Sequence, residues 1–253
     1  MSSFKQSVSH WPLAQVVRSA EDYRKILEIG ITGVEMPPRD KYDELRAAGF
    51  VIATVAGHAA LGNGLNKKEN HNRITDELRA SLEVAQQYEI PNLICFSGNR
   101  EGMDEASGAA NTAEGLRLVA ADAEAAGVNL IVELLNSKVD HADYQCDRTA
   151  WGVRVVEAVG SPRVKLLYDI YHMQIMEGDL IRTIRDNIQH IAHFHTAGNP
   201  GRNDLDEQQE IYYPAVARAI HETGYSGWVG HEFSPKGDVF ASLQQAYAAC
   251  HVA

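Results

Sequence analysis

Eight short apolar runs alternate with eight amphipathic stretches along this chain, and that rhythm leaves few architectures open. The runs are QSVSH (6–10), TGVEMP (32–37), FVIATVAG (50–57), PNLICFSG (91–98), NLIVELLN (129–136), VKLLYDIYH (164–172), IQHIAHFHTAG (188–198) and GWVGHEFSP (227–235). Their length and their Val, Ile and Leu content mark them as buried parallel strands. Between them, 21–29, 40–48, 67–88, 107–126, 147–160, 179–187, 213–223 and 237–250 read as helices. Segment 112–127 begins on Thr112, a residue type favoured at N-caps, and ends at Gly127. Asp147 precedes a helix that buries Trp151, Val155 and Val156 before Gly160 stops it. Strict alternation with right-handed crossovers predicts one (β/α)8 TIM-barrel domain over 1–253. A doubly wound sheet would show a glycine-rich phosphate loop after an early strand; the first loop here, SHWPLAQ, has none.

A chain of 253 residues suits one large core. Its 34 acidic side chains against 23 basic ones leave a net charge of −11, which argues against a nucleic-acid partner. An anionic small substrate stays open, because a local metal or Arg outweighs the remote field. Cys95, Cys146 and Cys250 are an odd, scattered set without CxxC, so neither a disulfide framework nor a zinc knuckle is expected. The opening MSSFKQSVSHW has no apolar h-region, and no stretch approaches ~20 apolar residues. The expectation is a soluble, cytoplasmic protein with no membrane partner. Helix faces around Trp151 and Tyr212–Tyr213 are candidates for apolar contact between copies in a homo-oligomer.

The chemistry lies at the strand ends. Glu133, Asp169, His195 and Glu232 each fall at or near the carboxyl end of a separate apolar run. In a parallel barrel those ends converge on one rim, where catalytic groups collect. A buried, unpaired carboxylate is costly, and three together repel one another unless a cation or shared protons hold them. A divalent ion is the economical answer, with Mn²⁺ or Mg²⁺ fitting the oxygen-rich set and Zn²⁺ also compatible. His193 shares a strand face with His195 but sits lower, as a packed or supporting group. His172, just past its strand end, either touches substrate or caps the following helix, and Arg202 on its Gly-rich loop either meets a carboxylate or polar oxygen of the ligand or is an ordinary solvated Arg; His10, His58 and Glu35 occupy rim positions of strands 1, 3 and 2 as weaker pocket candidates. Asn136, Lys138 and His141 follow Glu133 and are further pocket candidates. There is no GxSxG, and Cys95 carries no sign of an activated nucleophile.

The stretch LLYDIYHMQIMEGDLIRTI resembles the corresponding segment of hydroxypyruvate isomerases, as does NPGRND…EIYYPAVARAIHETGYSGWVGHEFSP, and VELLN resembles that family's carboxylate-plus-Asn strand end. The likeness is specific over about 129–235 and places the chain with the xylose isomerase-like TIM barrels, with ketose 3-epimerases and endonuclease IV as more distant kin. The resemblance implies that Glu133, Asp169, His195 and Glu232 are metal ligands, that Glu133 and Glu232 are the acid–base pair, and that His172 and Arg202 contact substrate. One position departs: hydroxypyruvate isomerases tend to carry Gln where this chain has His195, whereas sugar epimerases carry His.

The expected function is a metal-dependent isomerase that moves a proton between adjacent carbons of a small hydroxy-carbonyl compound through an enediolate. Hydroxypyruvate to tartronate semialdehyde is the leading pair. A ketose 3-epimerase or other sugar isomerase is the alternative, and an endonuclease IV-like phosphodiesterase is disfavoured by the −11 charge.

Overall fold

The computed structural model describes residues 3–14 and 16–252; Met1, Ser2, Gln15 and Ala253 lie outside the described residues. The strands β1 (Lys5–Ser9), β2 (Gly33–Glu35), β3 (Val51–Ala56), β4 (Asn92–Cys95), β5 (Asn129–Glu133), β6 (Val164–Asp169), β7 (Ile191–Thr196) and β8 (Trp228–His231) follow one another in a closed barrel. The expected (β/α)8 architecture is the fold. The helices are α1 (Ala20–Ile29), α2 (Tyr42–Ala48), α3 (His71–Tyr88), α4 (Glu105–Ala126), α5 (Thr149–Val159), α6 (Ile170–Met176), α7 (Leu180–Asn187), α8 (Tyr213–Glu222) and α9 (Val239–Cys250). The contacts group the chain into two compact units.

The first unit comprises Met1–Ala53, Asp179–Ile188 and His193–Ala253. Its strands pair in parallel as β7–β8–β1–β2. The register sets Ser7 opposite Gly33 and Gly230, Ser9 opposite Glu35, and His195 opposite Gly230. Two glycines make room for large neighbours. A Cβ on Gly33 would come within 2.5 Å of the Trp228 ring, and one on Gly230 within 2.0 Å of Glu35 Oε1. Small residues therefore stand where Trp228 and Glu35 fill the interior, the layered filling by which such barrels are packed. Helix α1 starts with a capping box, Ser19 with Asp22, and Asp238 caps α9 by accepting from Ala241 N.

The second unit comprises Thr54–Gly178 and Gln189–Ala192. Its strands pair as β3–β4–β5–β6. Leu93, Ile94, Leu130, Ile131, Val132, Leu166 and Leu167 are all fully buried, so consecutive side chains on both strand faces avoid water. Three local expectations change here. Thr112 does not cap α4; it is buried within the helix and donates to the Gly108 carbonyl at 2.8 Å. Asp104 caps instead, accepting from Ser107 N, and the Ala- and Gly-rich run after it contains no proline to stop the helix. Asp147 does not cap α5, because it is drawn into an ion pair with Arg100 at 2.8 Å. The run at 164–172 ends as a strand at Asp169, where α6 begins.

Trp151 and Tyr213 are buried in their own units and offer no exposed apolar face, while Tyr212 is 73% exposed. The three cysteines are free and buried. Among the described residues, no helix is long and apolar enough to cross a membrane.

Candidate active site

Glu133 ends β5, Asp169 ends β6, His195 lies one residue before the end of β7, and Glu232 directly follows β8. All four are buried. In each unit, ligand-type residues at or beside the last position of short strands thus stand at carboxyl ends, the side on which barrels of this kind carry their chemistry.

In the first unit, three groups surround the Glu232 carboxylate. His195 Nδ1 lies 3.1 Å from Oε2, Arg202 donates to Oε2 at 2.7 Å, and the indole N–H of Trp11 reaches Oε1 at 3.3 Å. Burial alone would raise the Glu232 pKa. The charges of His195 and Arg202 outweigh it and bring the group down to about 2. Arg202 arrives from the loop after β7, where its φ of 55° places it in the left-handed region, and its carbonyl accepts from Ser234 N at 2.8 Å. Trp11 carried no signal as a site residue in the sequence, since a lone exposed aromatic in a loop is ordinary.

On the other side of the His195 ring lies Glu35, entirely buried. His195 Nε2 meets its Oε2 at 2.7 Å, His193 Nε2 meets its Oε1 at 3.0 Å, and the Ser7 hydroxyl donates to Oε1. The His193 and His195 rings pack edge to face at 5.2 Å. Burial would push the Glu35 carboxyl up, but the two histidines hold it well below the usual range. Glu35 thus closes β2 with no exposed surface and with both carboxylate oxygens engaged. His231 is also buried, with Nε2 against Gln6 Oε1 and Nδ1 against Thr196 Oγ1, both at 2.8 Å; burial pushes its pKa down to about 4. His10 is partly buried, which lowers its pKa, and the Lys41 charge lowers it further.

In the second unit, Asp169 caps α6 by accepting from His172 N at 3.0 Å, and its Oδ2 lies 3.7 Å from His172 Nε2. The tautomer of His172 follows from its neighbour. Asn136 Oδ1 accepts from the backbone N–H groups of Val139 and Asp140, both at 2.9 Å, which fixes the amide so that Nδ2 faces outward. That NH₂ lies 2.6 Å from both Asp140 Oδ2 and His172 Nδ1. Nδ1 therefore accepts, and the neutral ring carries its proton on Nε2. Tyr171 also donates to Asp140, at 2.9 Å, and the His141 ring packs against His172 at 5.3 Å. Lys138 reaches the Ile175 carbonyl at 2.8 Å and so closes the end of α6. His58 has both nitrogens engaged with main chain, Nδ1 with Ala59 O at 3.0 Å and Nε2 with Phe96 N at 2.9 Å, and its ring packs edge to face with Phe96 at 5.6 Å.

The sequence profile of the xylose isomerase-like TIM barrels matches residues 23–249. The chain belongs to the xylose isomerase-like TIM-barrel family. Within reach of that family, it is 34% identical over 140 residues to a 2-oxo-tetronate isomerase of Cupriavidus necator; the match covers 55% of this chain and about half, 53%, of that relative. It is 29% identical over 229 residues to a 2-oxo-tetronate isomerase of Pectobacterium atrosepticum, covering 85% and 86% of the two chains. Among solved structures, an AP endonuclease, family 2, from Brucella melitensis superposes with a TM-score of 0.84 at 27% identity, over 96% of this chain and 97% of that one.

Proposed function

We propose that the protein is an isomerase of small hydroxy-keto acids, moving a proton between adjacent carbons, with hydroxypyruvate to tartronate semialdehyde as the leading pair. The observation that carries this reading is the clasp on Glu232: a buried carboxylate at a strand end with an imidazole and a guanidinium on one oxygen. Relatives named as 2-oxo-tetronate isomerases support the substrate class, a short chain bearing a carboxylate, a ketone and a hydroxyl.

Glu133, Asp169, His195 and Glu232 would hold a divalent cation. The donor set fits: three carboxylates and one imidazole, with no thiolate, suit Mn²⁺ or Mg²⁺. Such an ion supplies Lewis-acid polarisation of a carbonyl oxygen. The remaining work falls to the chain's own side chains. A C–H beside a ketone gives up its proton slowly unless a base is held against it. Glu232, kept ionised by His195 and Arg202, is ready to take that proton. Glu133, entering as the carboxylic acid, delivers a proton to the neighbouring carbon while the hydroxyl proton passes to the former ketone oxygen, completing the shift through an enediolate. Arg202 lies beside Glu232 and offers its guanidinium to the substrate carboxylate, a pairing that suits a planar fork of donors. His172, with its proton on Nε2, donates to a substrate oxygen.

The net charge of −11 weighs against DNA as the substrate. The test is solvent-proton exchange in deuterated water, followed by NMR, with hydroxypyruvate and a panel of ketoses, with Mn²⁺ supplied and after chelation. Exchange with hydroxypyruvate that is lost on chelation supports the reading. Exchange with ketoses alone points to an epimerase, and exchange with no compound overturns the assignment.

A further inference from the structure

We propose that Glu35 is a positioning residue for His195: it fixes the tautomer and tilt of the imidazole so that Nδ1 is the ligand atom. The inference rests on the reading that His195 and Glu232 hold a divalent ion. A carboxylate can only accept hydrogen bonds. His195 Nε2, 2.7 Å from Glu35 Oε2, must therefore be the protonated nitrogen. With no ion bound, the ring is the charged imidazolium that faces both carboxylates; once an ion takes the place of one proton, the N–H held by Glu35 is the one that stays, and the lone pair is left on Nδ1, the nitrogen that lies 3.1 Å from Glu232 Oε2. Donor atoms of two strands then point at one spot, which is what shared coordination requires.

Glu35 is itself held in place. Ser7 and His193 both donate to its Oε1, and the absence of a side chain at Gly230 leaves the space its carboxyl fills. His193 Nδ1 finds no hydrogen-bond partner among the described residues, so Glu35 also sets that ring. A purely structural ion pair would not need to single out one nitrogen of His195. An outer carboxylate that orients a metal-binding histidine does, and removing such a partner typically weakens metal binding ~10–100-fold.

The experiment is calorimetric titration of the full chain with Mn²⁺, on wild type, Glu35→Gln and Ser7→Ala, together with long-range ¹H–¹⁵N NMR of the Mg²⁺-loaded wild type. A glutamine presents one acceptor and one donor, so it can satisfy only one of the two histidines. Glu35→Gln is expected to bind Mn²⁺ ~10–100-fold more weakly than wild type. Ser7→Ala, which leaves both histidine contacts in place, loses less. The spectrum should show His195 protonated on Nε2 and bare on Nδ1. Unchanged affinity in Glu35→Gln overturns the role, as does a proton on Nδ1 or a second Mn²⁺ per chain bound at Glu35 itself. If Glu35→Gln fails to fold, the wild-type spectrum decides alone. Wild type that binds no Mn²⁺ defeats the metal reading, an outcome distinct from wild-type binding that Glu35→Gln leaves untouched.

Discussion

Arg202 donates to Glu232 Oε2 at 2.7 Å, from a loop whose backbone is itself tied to the strand-8 end through Ser234. Replacing the guanidinium with an apolar side chain removes one of the two positive charges that keep Glu232 ionised. In Arg202→Met, the Glu232 pKa is expected to rise from about 2 towards the ordinary carboxylate range. A hydrogen bond to a charged group contributes about 1.5–3 kcal/mol, so kcat/KM should fall by ~10–100-fold. Carbon-13 titration of the Glu232 carboxyl in the metal-free protein and steady-state kinetics with hydroxypyruvate check the two effects separately.

Asn136 and His172 form a donor–acceptor pair whose direction is set by the backbone N–H groups of Val139 and Asp140. Asn136→Asp keeps the shape and the backbone contacts but removes the donor. His172 Nδ1 then has to carry the proton to bond the new carboxylate, and Nε2 loses its own. Nitrogen-15 shifts of His172 should report the exchanged tautomer. Activity should drop about tenfold, the worth of one hydrogen bond to substrate of ~1–1.5 kcal/mol.

Gly230 has no room for a methyl group, because a Cβ would stand 2.0 Å from Glu35 Oε1 in a fully buried layer. Gly230→Ala forces Glu35 off both histidines or shifts β8. Overpacking of this kind costs about 1–3 kcal/mol, read as a lower urea midpoint. Gly237, where an added Cβ meets nothing within 4 Å, is the comparison: Gly237→Ala should leave the midpoint near wild type.

His231 ties protein stability to pH. Its pKa is about 4 in the fold against an ordinary 6.5, because burial disfavours the charged ring. Below 6.5 the unfolded chain takes up a proton that the native state refuses. The stabilising effect is full above pH 6.5 and is lost as pH falls towards 4, by about 3 kcal/mol if the whole shift is expressed. His231→Gln removes that titration. Denaturant melts of the metal-free protein between pH 7 and 4 should show wild type losing more stability than the variant over this window.

Much of this molecule is legible along the chain. Apolar runs of strand length separated by helical periodicity placed all eight strands, and the glycines at 30, 49, 127 and 160 stand where helices stop, each with positive φ. The acids at the ends of β5 and β6 were visible because a carboxylate closing an apolar run is conspicuous. Boundaries that depended on competition among nearby polar groups were not visible. Thr112 and Asp147 both look like helix caps, yet Asp104 starts α4 and Arg100 takes Asp147. Nothing in VKLLYDIYH distinguishes a strand that continues from one that stops at a capping aspartate.

The sequence by itself determined the barrel and named the ligand-type side chains, because both follow from local pattern: burial every residue or every third or fourth, and acids where water is absent. Only the tertiary structure decided what those side chains do to one another. Glu35 and His195 are 160 positions apart, and no periodicity links them. Their meeting depends on β7, β8, β1 and β2 lying side by side and on a glycine at 230 that leaves space between them. Hydrogen-bond direction, and with it the nitrogen left to bind a ligand, is a property of neighbours in space, which a linear pattern of residue types does not encode.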